Sequence, residues 1–371
     1  MTRLYLRLSI TNCALWVAMV LAAASCSDSA AGPDTPPGGG WPTSTLAAQG
    51  LAEAPLLDLK RQIQNGELGA VHSLLVARNG YLVFEEYFAG QEQDDLHQVY
   101  SVTKSVAATL VGVAWDRGLV PDLDTPLLDL FPEYGMVKNP AGGKQHVTLR
   151  HALQMRTGFE WDEWATNYDD PTNPTSALFR SDDWMKFVLD LPMTDPPGTR
   201  FVYNSGVSML LSGAIKNLTG ERVADFADEV LFEPLGISRR HWFEGPNQID
   251  NTGWGLHLRS RDMARIGQLY LQRGVWAGQR ILSEAWIDES MERYTRFQSG
   301  WGYGYQWWLG PETVGVTAPT ANGWGGQYIV IMPDLDAVVV STAGNFEGGG
   351  LSPEVLMGVM RSAAAAEVDP G

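Results

Sequence analysis

Two pairs of strand-like segments lie at opposite ends of the chain, and this arrangement constrains the fold more than any other feature. Near the start, HSLLVARNGYLVFEEYFAG (72–90) contains two alternating apolar runs around an Asn-Gly pair, which is a strong hairpin signal. Near the end, QYIVIMP and DAVVVSTAG are separated by two residues (334–335), which predicts a second hairpin. Between these regions, several segments have apolar residues at helical spacing.

These features predict an α+β fold in which an antiparallel sheet is flanked by helices. We expect an α/β lobe formed by residues 45–100 and 250–365, with a mostly helical lobe (101–249) inserted between them. Hydrophobic residues make up 44% of the chain, which is enough for a substantial interior. The sequence contains no internal repeat, so residues 45–365 are predicted to form one two-lobed domain.

The first 26 residues have the layout of an export signal. Arg3 and Arg7 precede an apolar stretch, and small residues lead into Cys26. This stretch resembles the bacterial lipoprotein signal, in which the cysteine is lipidated and becomes the first residue. Ala23 stands where that pattern prefers Leu, so ordinary cleavage nearby and a retained anchor helix stay open as alternatives. By the same resemblance, Ser27 indicates export to the outer membrane.

We therefore expect an exported lipoprotein, in the outer membrane or periplasm, attached to the membrane through a lipid on Cys26. Residues 27–44 (SDSAAGPDTPPGGGWPTS) are rich in Gly, Pro, Ser and Asp and predict a flexible linker. The only other cysteine, Cys13, lies inside the predicted signal, so a chain starting at Cys26 would contain no disulfide.

Composition and missing motifs exclude several function classes. The net charge of −17 argues against nucleic acid and anionic lipid as partners. No G-x-S-x-G motif is present, and the six histidines lack metalloprotease spacing. Asp122, Asp124 and Asp129 lack the glycine and the terminal glutamate of a calcium loop. We therefore predict no metal and no cofactor.

The segment VYSVTKSVAATLVG (99–112) places one of the chain's six lysines three residues after a serine, where an apolar helix begins. Helix positions i and i+3 share a face, so the amine of Lys104 can reach the hydroxyl of Ser101. Burial and the helix N-terminus favour a neutral lysine, which is a base that can take the serine proton. The backbone N–H of Ser101 would be one donor to an oxyanion. On this motif alone, a capping serine with a surface lysine stays open.

Two later segments extend the pattern, PPGTRFVYNSGVSMLLSGAIKNLTG (196–220) and ANGWGGQYIVIMPDLDAVVV (321–340). The order S-x-x-K, P-G-x-x-F-x-Y and glycine-rich strand resembles the serine β-lactamase and penicillin-binding protein superfamily. Its class C-like branch, with family VIII carboxylesterases and nylon-oligomer (6-aminohexanoate-dimer) hydrolases, is the most similar. The resemblance covers residues 45–362 and implies the β-lactamase-like serine hydrolase fold.

The resemblance also implies roles for particular residues. Tyr203 would face the serine and lysine and relay protons. Ser205 stands where many members have Asn, and its hydroxyl would bond to Lys104. Gly323 would line one edge of the cleft, where it permits close backbone approach. The N–H of Trp324 would be the second oxyanion donor.

Two features bear on the substrate. Ala321 stands where the family has a Lys or His that binds the carboxylate of a β-lactam or stem peptide, and alanine cannot form that contact. This departure favours esters and simple amides. In FEWDEWATNYDDPTNP, a loop of the inserted lobe, Trp161, Trp164 and Tyr168 are candidates for binding an apolar acyl group, and ordinary packing explains them equally well.

The sequence thus indicates a serine hydrolase that cleaves ester or amide bonds of small molecules through an acyl-enzyme. One alternative is a D,D-peptidase or weak β-lactamase, and another is a non-catalytic receptor for peptidoglycan or a peptide. The sequence leaves open the oligomeric state and whether Lys104 or Tyr203 is the base during acylation.

Overall fold

The computed structural model of the protein describes residues 40–312 and 317–366. The predicted signal peptide, Cys26 and residues 27–39 of the predicted linker lie outside the described residues. Within the described ranges, no helix is both long enough and apolar enough to cross a bilayer.

An eight-stranded antiparallel sheet forms the centre of the fold, in the order β2-β1-β13-β12-β11-β10-β9-β8. Strands β3, β5 and β4 form a small second sheet, and β6 and β7 form a two-stranded ribbon. The strands are β1 (Val71–Arg78), β2 (Tyr81–Tyr87), β3 (His97–Gln98), β4 (His241–Trp242), β5 (Leu256–Leu258), β6 (Val275–Trp276), β7 (Gln279–Arg280), β8 (Thr295–Arg296), β9 (Gly302–Tyr303), β10 (Trp308–Leu309), β11 (Pro319–Gly323), β12 (Gln327–Met332) and β13 (Ala337–Ala343).

Ten α-helices occur in the described residues, and in the sequence most of them lie between the N-terminal hairpin and the C-terminal strands of the large sheet. They are α1 (Glu53–Gln64), α2 (Val102–Asp116), α3 (Leu149–Leu153), α4 (Pro174–Phe179), α5 (Trp184–Leu189), α6 (Ser205–Thr219), α7 (Val223–Ala227), α8 (Ser260–Leu271), α9 (Glu284–Ser290) and α10 (Pro353–Ala365). The predicted class, antiparallel sheet with helices, is confirmed.

Both predicted hairpins form. In the first, Asn79 (φ 49°) and Gly80 (φ 81°) are both left-handed, as the tight turn between two twisted strands requires. The second connection is longer than the two residues predicted, because β12 ends at Met332 and a 3-10 turn over Pro333–Leu335 precedes β13. Strand β1 pairs with β13, which joins the two ends of the chain in one sheet.

The sheet is buried on both faces. Leu74 and Val76 of β1 belong to a core with α1 and α10. Leu75 and Ala77, which alternate with them, belong to the larger core that contains α2, α6 and α8. Two-sided burial explains why β1 and β13 contain consecutive apolar residues, although alternation was expected in the first hairpin.

The helices α2 and α6 position the candidate site. Residues 102–114 of α2 are all buried, so this part of the helix is surrounded by protein on every side. Helix α6 packs against it, and its start is capped by Asn204, whose Oδ1 accepts from the Val207 N–H at 2.9 Å. Gly220, in the left-handed region at φ 80°, ends α6, as the sequence predicts.

Candidate active site

Ser101 stands immediately before α2, and its side chain makes no capping hydrogen bond. The preceding residue, Tyr100, has a φ of 46°, a left-handed conformation that costs a non-glycine residue about 1–2 kcal/mol. The Ser101 Oγ lies 3.0 Å from the Nζ of Lys104. The hydroxyl therefore faces the lysine, and a capping serine with a surface lysine does not describe this pair.

Lys104 is only 1% exposed. Its Nζ donates to the carbonyl oxygen of Gly253 at 2.7 Å. That carbonyl is held in place because the Oδ1 of Asn251 accepts from the backbone N–H groups of Gly253 (3.1 Å) and Trp254 (2.8 Å). Burial lowers the pKa of Lys104 from 10.5 to about 8, against a smaller opposing effect of the Glu163 charge. At pH 7 the ammonium form therefore still predominates, and about a tenth of the amine is neutral.

Tyr203 is buried beside the lysine. Its ring stacks between Trp164, at a centroid distance of 5.2 Å, and Trp308, at 5.8 Å. The Nζ of Lys104 lies 5.1 Å from the centroid of the ring. Burial raises the pKa of the Tyr203 phenol, and the negative charge of Glu163 raises it further. Tyr203 is thus held as a neutral phenol that can donate a proton.

Ser205 does not make the predicted contact. Its Oγ donates to the Oε1 of Glu163 at 2.8 Å, whereas the hydrogen bonds of Lys104 in the described part of the chain go to Ser101 and Gly253. The single proton of the Ser205 hydroxyl goes to the carboxylate, which accepts strongly, whereas an ammonium group has no acceptor.

Sequence reasoning missed Glu163. This carboxylate is 2% exposed and accepts four hydrogen bonds. The donors are the indole of Trp161 (2.7 Å), the backbone N–H of Ser205 (2.7 Å), the Ser205 hydroxyl (2.8 Å) and the Tyr168 hydroxyl (3.0 Å). The one available signal was an acidic residue among aromatic residues in the 159–174 loop.

Gly323 lies where β11 approaches the backbone before Ser101. A Cβ at this position would be 2.3 Å from the carbonyl oxygen of Val99, so only glycine fits. The next residue, Trp324, lines the same pocket as Ser101. Among the described residues, the backbone N–H groups of Ser101 and Trp324 donate to no other protein group. Both donors are thus available to a bound oxyanion.

Ala321 is completely buried in β11, where it pairs with Ile329 of β12. Its side chain belongs to the larger core. This position therefore presents no charged or polar group to a substrate.

A pocket of about 250 Å³ opens over Ser101, and most of its lining is apolar. It is lined by Gln98, Tyr100, Ser101, Tyr168, Thr175, Ser176, Phe179, Ser205, Trp254 and Trp324. Sequence analysis did not single out Tyr100, Phe179 or Trp254. No Lys, Arg or His lines the pocket in the described part of the protein.

The three loop aromatics predicted to bind substrate have different positions. Tyr168 lines the pocket, with its ring 5.4 Å from that of Trp324. Trp164 is 62% exposed and lines a neighbouring cavity of about 510 Å³. Trp161 is buried and does not line the pocket, because its indole donates to Glu163.

The described residues contain no group of three or more His, Cys, Asp or Glu side chains arranged to hold a metal ion. Asp124, from the acidic segment considered above, instead pairs with Arg150 at 2.9 Å.

The antiparallel sheet with helices on both faces defines a protein of the beta-lactamase-like fold. The chain belongs to the Beta-lactamase family, whose family model matches residues 52–349. It is therefore a member of a family of hydrolases.

Individual relatives give a more specific comparison. The chain is similar to a 6-aminohexanoate-dimer hydrolase of Paenarthrobacter ureafaciens, with 26% identity over 314 residues that cover 77% of this chain and 74% of the relative. A solved structure of a putative 6-aminohexanoate-dimer hydrolase from Bacillus anthracis has a TM-score of 0.70 at 21% identity, covering 88% of this chain and 86% of that one. A family VIII carboxylesterase has a TM-score of 0.67 at 17% identity, covering 87% and 98%. The resemblance inferred from the sequence is confirmed.

Proposed function

We propose that the protein is a serine hydrolase that cleaves ester or amide bonds through an acyl-enzyme intermediate. The observation that carries the proposal is the 3.0 Å distance between Ser101 Oγ and the Nζ of Lys104, a buried lysine whose pKa is lowered to about 8. The proposal is also supported by relatives named as 6-aminohexanoate-dimer hydrolase and carboxylesterase.

Acylation begins when the neutral amine of Lys104 takes the proton of the Ser101 hydroxyl. The Oγ forms a bond to the carbonyl carbon of the substrate, and the π electrons of the carbonyl move to its oxygen. The N–H groups of Ser101 and Trp324 donate to this oxyanion. When the intermediate collapses, the bond to the leaving group breaks, and Tyr203 gives its proton to the departing alcohol or amine while taking the proton held by Lys104.

Deacylation uses the same groups in reverse. Water enters the position left by the alcohol or amine, and the Tyr203–Lys104 pair takes a proton from it as it attacks the ester of Ser101. The second oxyanion collapses with release of the carboxylic acid and return of a proton to the Ser101 oxygen. No redox step or external co-reactant other than water is needed.

The pocket favours a neutral, apolar acyl group. Tyr100, Phe179, Trp254 and Trp324 supply its aromatic surface, and it has no basic side chain among the described residues. A β-lactam or stem peptide carries a carboxylate that would need such a partner, and losing a charge-assisted hydrogen bond costs about 1.5–3 kcal/mol. Ala321, buried in the core, offers no substitute.

The test compares hydrolysis of p-nitrophenyl esters of increasing chain length with hydrolysis of nitrocefin, using protein that lacks residues 1–26. We expect turnover of the esters, little turnover of nitrocefin, and loss of ester hydrolysis in Ser101→Ala with unchanged thermal denaturation. Ester hydrolysis that survives in Ser101→Ala would contradict the nucleophile. Rapid nitrocefin turnover would favour a β-lactamase, and no turnover of either compound would favour a receptor.

We also propose that the protein is exported and anchored to the membrane through a lipid on Cys26. The proposal rests on the sequence of residues 1–27 alone. Expressed with its own signal, the chain should sediment with membranes, and mass spectrometry should find a lipidated Cys26 at its N-terminus. Cys26→Ala should move the protein to the soluble fraction, and a Cys26→Ala variant that still sediments with membranes would contradict the proposal.

A further inference from the structure

The buried carboxylate of Glu163 is hydrogen-bonded to Ser205 and Tyr168, which line the pocket over Ser101, and the mechanism above gives it no role. All four hydrogen bonds that Glu163 accepts come from neutral donors, so among the described residues no cation pairs with it directly. A buried carboxylate without a paired cation is costly, and it persists only where its surroundings compensate for the lost hydration.

The charge of Glu163 acts on the groups that exchange protons. It raises the pKa of Lys104, and it is the only charged group in the described residues that contributes to that pKa besides burial itself. The other titratable side chains that respond to this carboxylate are tyrosines. These are Tyr168, Tyr203 and Tyr303, and the pKa of each is raised.

We propose that Glu163 is a positioning residue whose negative charge stabilises the ammonium form of Lys104 while Ser101 attacks. The inference rests on the proposed function, because that step places a positive charge on Lys104, whose side chain is only 1% exposed. Glu163 supplies the balancing charge and touches neither the substrate nor the reacting atoms. Through Ser205 and Tyr168, the same carboxylate also fixes two residues that line the pocket.

The hydrogen-bond pattern permits a substitution that removes only the charge. The partners of Oε2 are N–H groups, of Trp161 and Ser205, which can only donate. The partners of Oε1 are the hydroxyls of Tyr168 and Ser205, which can rotate and accept. In Glu163→Gln, the amide oxygen can replace Oε2 and the NH₂ can replace Oε1, so all four hydrogen bonds can be kept.

The test is the pH profile of kcat/KM for an ester substrate. Because the Glu163 charge raises the pKa of Lys104, its removal lowers that pKa, and the acid limb of the profile moves to lower pH. We expect a shift of about one pH unit. The plateau of kcat/KM should also fall about three- to tenfold, because a weaker base takes the serine proton less effectively.

Two further variants complete the design. Glu163→Ala, which also breaks the four hydrogen bonds, should lower thermal stability where Glu163→Gln does not. Glu289→Gln is the matched control, because Glu289 accepts from Arg150 and from the Tyr305 hydroxyl and does not line the pocket. Its pH profile should match that of the wild type.

The outcomes separate this inference from the proposed function. If Ser101→Ala is inactive and the acid limb of Glu163→Gln coincides with that of the wild type, the inference is overturned and the proposed function stands. Uniform loss of activity in Glu163→Gln at an unchanged midpoint would also overturn it, since it would indicate a purely structural carboxylate. If Ser101→Ala keeps full ester hydrolysis, the proposed function itself has failed.

Discussion

Two buried lysines in this chain have very different surroundings, and the difference suits only one of them to the proposed role of a base. Lys144, 1% exposed, donates to three backbone carbonyls, of Lys138 (2.9 Å), Leu189 (2.8 Å) and Leu191 (2.6 Å). An ammonium group has three donors, so each one is matched by a fixed acceptor. Lys144 therefore connects the loop before α3 to the end of α5.

Lys104 is equally buried, but it has one carbonyl acceptor, of Gly253, and one hydroxyl partner, of Ser101. Burial lowers the pKa of both lysines. Their equally low solvent exposure therefore does not make them alike, since only the pKa of Lys104 is lowered strongly. The distinction lies in the partners, because a hydroxyl can give its proton to the amine and a carbonyl cannot.

The largest expected effect is the difference in kcat/KM between variants of the two lysines. Lys104→Met should lower kcat/KM for an ester by about 10²- to 10⁴-fold, the usual contribution of a general base. Lys144→Met should leave kcat/KM of the folded protein within about twofold, because the acceptors of Lys144 in the described residues do not line the pocket. Comparable losses in the two variants, at equal folded fraction, would break the comparison.

The free energy of unfolding should respond in the opposite way, with the larger loss in the Lys144 variant. Lys144→Met leaves three carbonyls without their donor and should lower the free energy of unfolding by about 3–5 kcal/mol in urea denaturation. Lys104→Met replaces a poorly solvated amine with an apolar side chain of similar size and should change it by only about 1 kcal/mol at pH 7. A larger loss of unfolding free energy in Lys104→Met than in Lys144→Met would show that the three carbonyl contacts of Lys144 stabilise the fold less than expected.

The lowered pKa of Lys104 also predicts a pH dependence of stability. Between the folded pKa of about 8 and the ordinary value of 10.5, the unfolded chain binds more protons than the folded protein. The contribution of Lys104 to the free energy of unfolding should therefore rise with pH across this window, by about 3 kcal/mol, and stay constant below it. Denaturation of wild type and Lys104→Met at pH 7 and pH 10 measures it, and parallel pH dependences would contradict the lowered pKa.

The smallest effect should come from the residue that aims the Gly253 carbonyl at Lys104. In Asn251→Ala, the backbone N–H groups of Gly253 and Trp254 lose their acceptor, so this carbonyl should hold the ammonium form less firmly. The acid limb of the pH profile should move down by a few tenths of a pH unit, and kcat/KM should fall about threefold. The control is Asn217→Ala, near the C-terminal end of α6, which removes an amide that donates a hydrogen bond to the Leu130 carbonyl. Equal effects in both variants would refute the assignment.

The fold was predictable where its determinants are local. The Asn79-Gly80 turn needs two left-handed residues, and the sequence contains a pair suited to it. The short strand β8 was not predicted, because its two residues are too few for any period. The longer connection before β13 was missed because Pro333 had been counted in the strand.

Contacts in the site that follow from residue spacing along a helix were predictable. Contacts that involve a backbone carbonyl or a distant loop were not. Ser101 and Lys104 share a helical face, so their contact follows from sequence. The carbonyl of Gly253 has no sequence signature, since every residue carries one. Glu163 looks like its neighbour Asp162 in the sequence, and only tertiary packing buries it.

The pairing of β1 with both β2 and β13 has a consequence for biosynthesis. Strand β1 forms its first hairpin early, but its other edge stays open until residues 337–343 have been made. The two proposed oxyanion donors, of Ser101 and Trp324, likewise come from segments far apart in the chain. Because the proposed site needs both segments, a growing chain should not hydrolyse an ester until the last strand has been made and paired, and such long-range pairing is slow. Recovery of hydrolysis during refolding would therefore report completion of the sheet.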